Sequence, residues 1–140
     1  MKKRKIILIA VLLVLVSVIT EARKKAKTEG LCEIKNVFVI GNSESASILR
    51  REIENRTWMT LVNSEEKADA IFEVSESRST KRFPIATEQT TISGSITKRG
   101  TKELLWSDSA SFGEGVINSG AGSAVKILLG NLRRDAGCKK

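Results

Sequence analysis

Val37-Phe38-Val39-Ile40-Gly41-Asn42-Ser43 is the stretch from which the architecture is read. Four consecutive apolar residues, three of them β-branched, are too short for a helix and show no polar alternation. That is the pattern of a strand covered on both faces. Gly41 and Asn42 end the run. Asn42, Ser43 and Ser45 then offer N-cap oxygens for a helix over roughly 44–56. Ala46, Leu49 and Ile53 recur at helical spacing, and Arg50, Arg51, Glu52 and Glu54 fill the wet face. A buried strand feeding an amphipathic helix begins a layered α/β arrangement.

Outward from that unit, residues 58–62 predict a short strand and residues 63–69 a polar turn. Ala70, Phe72 and Val74 alternate with polar residues as in a half-buried strand. Residues 75–87 are rich in Ser, Arg and Lys, hold the single proline, Pro84, and read as a loop. Residues 90–98 alternate again, with Ile92, Gly94 and Ile96 on one face. The turn Lys98-Arg99-Gly100-Thr101-Lys102 leads into a return strand, where Leu104, Trp106, Ala110 and Phe112 are expected to share a face. A glycine- and serine-rich stretch precedes a final helix over about 119–135. Its apolar stripe is expected to run through Ala124, Val125, Ile127, Leu128, Leu129 and Leu132. The expectation is a mixed α/β domain (α+β class) of order β-α-β-β-β-β-α, with a mostly antiparallel sheet and two helices packed on one face.

The amino terminus carries a different signal. Lys2, Lys3, Arg4 and Lys5 precede an apolar run from Ile6 to Ile19, and Thr20-Glu21-Ala22 places small residues at −3 and −1 of a cleavage point. That order marks residues 1–22 as a secretory signal peptide. Arg23, Lys24, Lys25 and Lys27 follow at once, and positive charge on the trailing side resists translocation. An uncleaved anchor, touching the membrane through residues 6–20, is therefore the alternative. Residues 23–32 read as a flexible basic leader and 33–140 as one domain. Residues 1–22 hold four Lys/Arg and one acid, so the remainder keeps a net charge of +5 out of the formal +8. That bias suits an anionic surface or polymer and predicts no specific nucleic acid.

Cys32 precedes the first strand and Cys138 follows the last helix, 106 positions apart. Outside the cytosol, two cysteines so placed are expected to form a disulfide rather than remain free thiols.

An apolar strand into a helix, a short strand at Thr60-Leu61-Val62, and then Glu65-Glu66-Lys67-Ala68-Asp69-Ala70-Ile71-Phe72 make a recognisable sequence. Together with a later hairpin and a closing helix, this resembles the α/β domains of small exported bacterial envelope proteins. Similar domains occur in curli-assembly lipoproteins and in the amino-terminal domain of the Tol-system propeller protein. The resemblance covers residues 33–135 and implies a binding or assembly module without catalysis. It carries over no functional residue, and the chain lacks the lipid-modified cysteine that follows the signal in the lipoprotein members. By itself the Lys67-Ala68-Asp69 step is also what a turn and strand entry require.

There is no histidine. That excludes Ser-His-Asp and Cys-His catalysis and removes the commonest metal ligand. Glu65, Glu66, Asp69 and Glu73, or Asp108 and Glu114, could supply paired carboxylates, but each lies in a polar or turn-like context. Gly120-Ala121-Gly122-Ser123 resembles a phosphate turn only loosely, because Val125 stands where a dinucleotide fingerprint needs glycine. No catalytic group, cofactor or metal is expected. Arg78, Lys81 and Arg82, with Lys98, Arg99 and Lys102, are the candidate contact patch, provided the loop folds over the hairpin turn. The function expected is an exported, non-catalytic binding or assembly module of the bacterial envelope or exterior, periplasmic or extracellular. Its partner would be an unknown envelope protein or an anionic polymer. The alternatives are a membrane-anchored accessory domain and a polymer binder acting through the basic patch.

Overall fold

Val37 and Val39 point into the core from the strand next to the centre of a five-stranded sheet ordered β2-β1-β3-β4-β5. The computed structural model describes residues 30–81, 87–113 and 120–138. The signal segment, and with it the question of cleavage, lies outside them. So do residues 23–29, Arg82 and Glu114. Strand β1 (Asn36–Ile40) runs parallel to its neighbours β2 (Thr60–Leu61) and β3 (Ala70–Lys81). Strands β4 (Thr87–Lys98) and β5 (Leu104–Gly113) add as antiparallel hairpins, with ladders far longer than the parallel ones. Helices α1 (Glu44–Arg56) and α2 (Gly120–Ala136) pack side by side over one sheet face.

The core lies between sheet and helices. Ala70, Phe72, Val74, Ile92, Ile96, Trp106 and Ala110 meet Ala46, Leu49 and Ile53 of α1 and Val125, Leu128, Leu129 and Leu132 of α2. Gly94 belongs to this face because Phe72 and Leu128 fill the space above it. A Cβ there would come within 2.8 Å of both side chains. Ser43 caps α1 as the sequence predicts, its side chain accepting from the Ala46 N–H at 3.2 Å. Arg50 does not point to water. Its Nη2 donates to the carbonyls of Val39 (3.0 Å) and Gly41 (2.6 Å), tying α1 to the end of β1.

Several sequence expectations change. Residues 75–81 are not a loop but the second half of β3, paired residue for residue with β4 up to Lys81 opposite Thr87. Their low hydrophobicity reflects a strand end with both faces in water from Ser77 to Thr80, and ladder hydrogen bonding needs no apolar side chain. A register shift at Ile96/Thr97 sets Leu104 opposite Thr97 and Trp106 opposite Ile96. The extra residue turns Leu105 inward and leaves Leu104 exposed, so Leu104 does not share the face of Trp106. The strand predicted over 58–62 shrinks to Thr60–Leu61. Before it, Met59 is buried and Trp58 donates its indole N–H to the Ile34 carbonyl at 3.0 Å. Residues 30–32 are helical and Leu31 is fully buried, so ordered structure starts inside the stretch assigned to a leader. Cys32 and Cys138 are bonded, with Cα atoms 5.4 Å apart.

The Lys67-Ala68-Asp69 step has a structural role. Asp69 Oδ2 accepts from the backbone N–H groups of Lys35 (3.1 Å) and Asn36 (2.8 Å), and the Asp69 N–H donates to the Asn36 carbonyl at 2.8 Å. From the other side, Arg99 donates its backbone N–H to the Asp69 carbonyl and its Nε to the Ala68 carbonyl. One carboxylate thus fixes where β1 enters beside β3. Asp69→Ala is expected to lower stability by roughly 1–2 kcal/mol, and Asp69→Asn, which keeps one carboxamide acceptor, by clearly less. Urea midpoints of the two variants check this.

Candidate binding surface

The sheet has two unlike faces, and the one away from the helices is the candidate site. Period-two alternation places Ser75, Ser77, Thr91, Ser93, Ser95, Ser107, Ser109 and Ser111 together on it. The register sets them in rows: Ser77–Thr91–Ser111, Ser75–Ser93–Ser109 and Glu73–Ser95–Ser107. Neighbouring positions are therefore about 4.8 Å apart across strands and about 6.7 Å apart along them, measured along the backbone. Thr91 and Ser111 hydrogen-bond to each other at 2.7 Å. The field forms an open depression of about 450 Å³ lined by Glu73, Ser75, Ser93, Gly94, Ser95, Ser107, Asp108 and Ser109. Glu73 is the one charged side chain in these rows. The flank toward β1 is apolar, with Phe38 and Ile71 half-buried and Ile40 40% exposed.

This surface is legible in sequence only as serine alternation, Ser75-x-Ser77-x-Ser79 and Ser107-x-Ser109-x-Ser111. Reading residues 75–87 as a loop hides the first of these runs.

The predicted basic residues do not gather. Ala70 pairs with Lys98 at one end of the β3–β4 ladder and Lys81 with Thr87 at the other. Lys98, Arg99 and Lys102 are thus at the opposite end of the sheet from Arg78 and Lys81, nearly a full strand length away. The condition for one continuous patch is not met among the described residues. Arg78 is also engaged, with Nε 2.9 Å from Glu76 and Nη2 3.3 Å from Glu44.

The carboxylates are dispersed as well. Asp108 accepts from Asn131 at 2.7 Å on the helix side, whereas Glu73 faces the outer side. Among the described residues no three potential ligands come together as a metal site. Nor is any of the described helices long and apolar enough to cross a membrane.

Glu76 lies at the amino end of α1 and accepts from the Ser45 hydroxyl and from Arg78. The Ser45 hydrogen bond, then Arg78, hold its carboxyl below the ordinary glutamate range. The folded state therefore binds this proton less readily than the unfolded chain. The stabilisation is complete at neutral pH and is lost as pH falls through the unfolded and then the lowered folded value. Glu76→Gln, which keeps a carboxamide acceptor but loses the charge, is expected to remove about 1 kcal/mol at pH 7 and to flatten the acid limb of the stability profile. Urea unfolding at pH 7 and below pH 4 reads both effects.

No family model matches this sequence, and no curated protein matches it. Solved structures do share its fold. A single-residue variant of PelC from Paraburkholderia phytofirmans, solved as a dodecamer, superposes with a TM-score of 0.53 at 14% identity, covering 70% of this chain and 87% of that one. A putative lipoprotein from Caulobacter crescentus CB15 gives 0.50 at 9% identity, covering 83% and 99%. The fold is thus shared with PelC and with a putative bacterial lipoprotein. A PDZ domain protein from Parabacteroides distasonis contains it as a part, with a TM-score of 0.51, 11% identity and coverage of 77% of this chain and 33% of that one.

Proposed function

We propose that the chain is an exported, non-catalytic binding or assembly module of the bacterial envelope, and that it works through the open face of its sheet. The observation that carries this is the outer-face composition. Lys and Arg make up 24 of the 140 residues, yet none stands in the central rows of β3–β4–β5. Long charged side chains lose up to ~2 kcal/mol of rotamer entropy when a surface is covered, and serine loses far less. A broad field of short hydroxyls, able both to donate and to accept, is cheap to bury against another polar surface. The cysteine bridge suits an oxidising compartment, and the amino-terminal signal suits export. A fold shared with PelC and with a putative bacterial lipoprotein supports the same reading.

The test has two arms. The purified protein is offered a panel of glycans, peptides and esters, and turnover of any of them would overturn the non-catalytic part. In the second arm, envelope extract is passed over immobilised protein carrying Ser93→Lys and Ser95→Lys. The doubly charged face is expected to lose what the wild type retains. Equal retention by both would remove the sheet face as the contact surface. Intact mass of the native protein separates the secreted form, starting at Arg23, from one anchored by residues 6–20.

A further inference from the structure

Strand β5 ends the sheet, and among the described residues no strand pairs with its outer edge. The other edge, β2, is two residues long, whereas β5 is ten. A row of unpaired backbone N–H and C=O groups is complementary to another extended chain. Of the devices that blunt natural edges, lysine and proline are absent from Leu104–Gly113, and only the irregularity beside Leu105 and the helix-facing Asp108, already bonded to Asn131, are present.

The sequence of the edge says which chain would fit. Trp106-Ser107-Asp108-Ser109-Ala110-Ser111-Phe112 is nearly palindromic about Ser109. Antiparallel pairing of two copies about that centre sets Ser109 against Ser109, Ser107 against Ser111, and Trp106 against Phe112. Serines then meet on the outer face and aromatics on the helix face, where such pairs contribute beyond their area. Asp108, the strand's single charge, falls opposite Ala110 rather than opposite its own copy, so no like charges meet.

Helix α2 carries an independent sign. Asn131 donates to Asp108, and Asp135 accepts from the Trp106 indole at 3.2 Å, so these i, i+4 residues mark the side of α2 that overlies β5. One turn earlier on the same stripe is Ile127, 42% exposed. With α2 above β4 and β5, a two-fold axis at the β5 edge brings the two α2 helices to roughly 10 Å, a normal packing distance. The exposed isoleucines are then next to each other.

We infer that the protein forms a two-fold dimer by antiparallel β5–β5 pairing centred on Ser109, with Ile127 of the two copies packed above the seam. The inference does not depend on what the outer face binds.

The test uses the full chain as the cell matures it, in sedimentation equilibrium over a micromolar to millimolar range. The wild type is expected at twice the chain mass. Ser109→Lys places two like-charged side chains directly opposite each other across the seam and should weaken the dimer roughly 10–100-fold without changing the fold, because Ser109 is exposed. Ser109→Asp should do the same. Mixing the two variants should restore a dimer containing one copy of each, a result that a non-specific surface effect would not produce. Ile127→Glu, away from the strand, should also dissociate the dimer, and it decides the matter if the β5 variants misfold. A wild type that stays monomeric throughout, or a dimer indifferent to both Ser109→Lys and Ile127→Glu, overturns the proposal.

Discussion

Replacing Cys32 and Cys138 by serine is expected to destabilise the domain by about 4–5 kcal/mol, the chain-entropy value for a loop of this length. The bond joins residues separated by 106 positions and encloses the five described strands and helices α1 and α2. Its removal therefore frees nearly the whole unfolded chain, which is where most of the effect arises. For a domain of about this size the melting temperature should fall by roughly 15–30 °C. The folded state loses something too. Leu31, fully buried beside Cys32, and the carboxyl end of α2 beside Cys138 are held together by the bridge. Calorimetry of the double variant, and of wild type with and without reductant, measures the difference. A shift of only a few degrees would mean that the termini are already held by packing.

Phe72→Ala is the second large effect, with an expected loss of about 3–5 kcal/mol. Phe72 is fully buried on β3, and its ring meets Trp106 edge-on with centroids 6.1 Å apart. It also covers Gly94, with Leu128 closing the same space from α2. Truncation would leave a void bounded by a glycine, which has no side chain to relax into it. The surrounding side chains are pinned between sheet and helices, so collapse is limited. Phe72→Leu should lose much less, because most of the volume remains. Denaturant midpoints for the two variants separate lost volume from lost aromatic contact. Gly94→Ala probes the same space from the other side, and its added methyl group has nowhere to go unless Phe72 or Leu128 moves.

The parts of this fold that are readable in the sequence have a common origin in local pattern. The Val37–Ile40 run, the Ser43 cap and the Ala46-Leu49-Ile53 stripe define β1 and α1, because dense apolar periodicity and a capping hydroxyl act within a few residues. The α2 stripe, apart from the exposed Ile127, and the turn at Gly100 are of the same kind, whereas the cysteine pairing is read from their number and their placement at the two ends of the domain.

The departures have equally definite causes. The second half of β3 looks like a loop because Ser75, Ser77 and Ser79 face water, and its membership in the sheet comes from backbone pairing with β4. A single inserted residue near Leu105 reverses the face of Leu104, which simple alternation cannot anticipate. Arg50 reads as a solvent residue in its helix, but the end of β1 supplies two carbonyls for its guanidinium.

The candidate surface follows the same division. Sequence alone determined that serines recur at every second position in two distant segments, that four basic residues precede an apolar run near the amino terminus, and that the chain lacks histidine. Only the tertiary structure decided that those segments flank one strand in register, which turns two serine runs into one hydroxyl field. It also decided that the basic residues stand at opposite ends of the sheet. The reason is that side-chain direction along a strand is set by the local pleat, whereas which strands adjoin, and in which register, is set by long-range pairing.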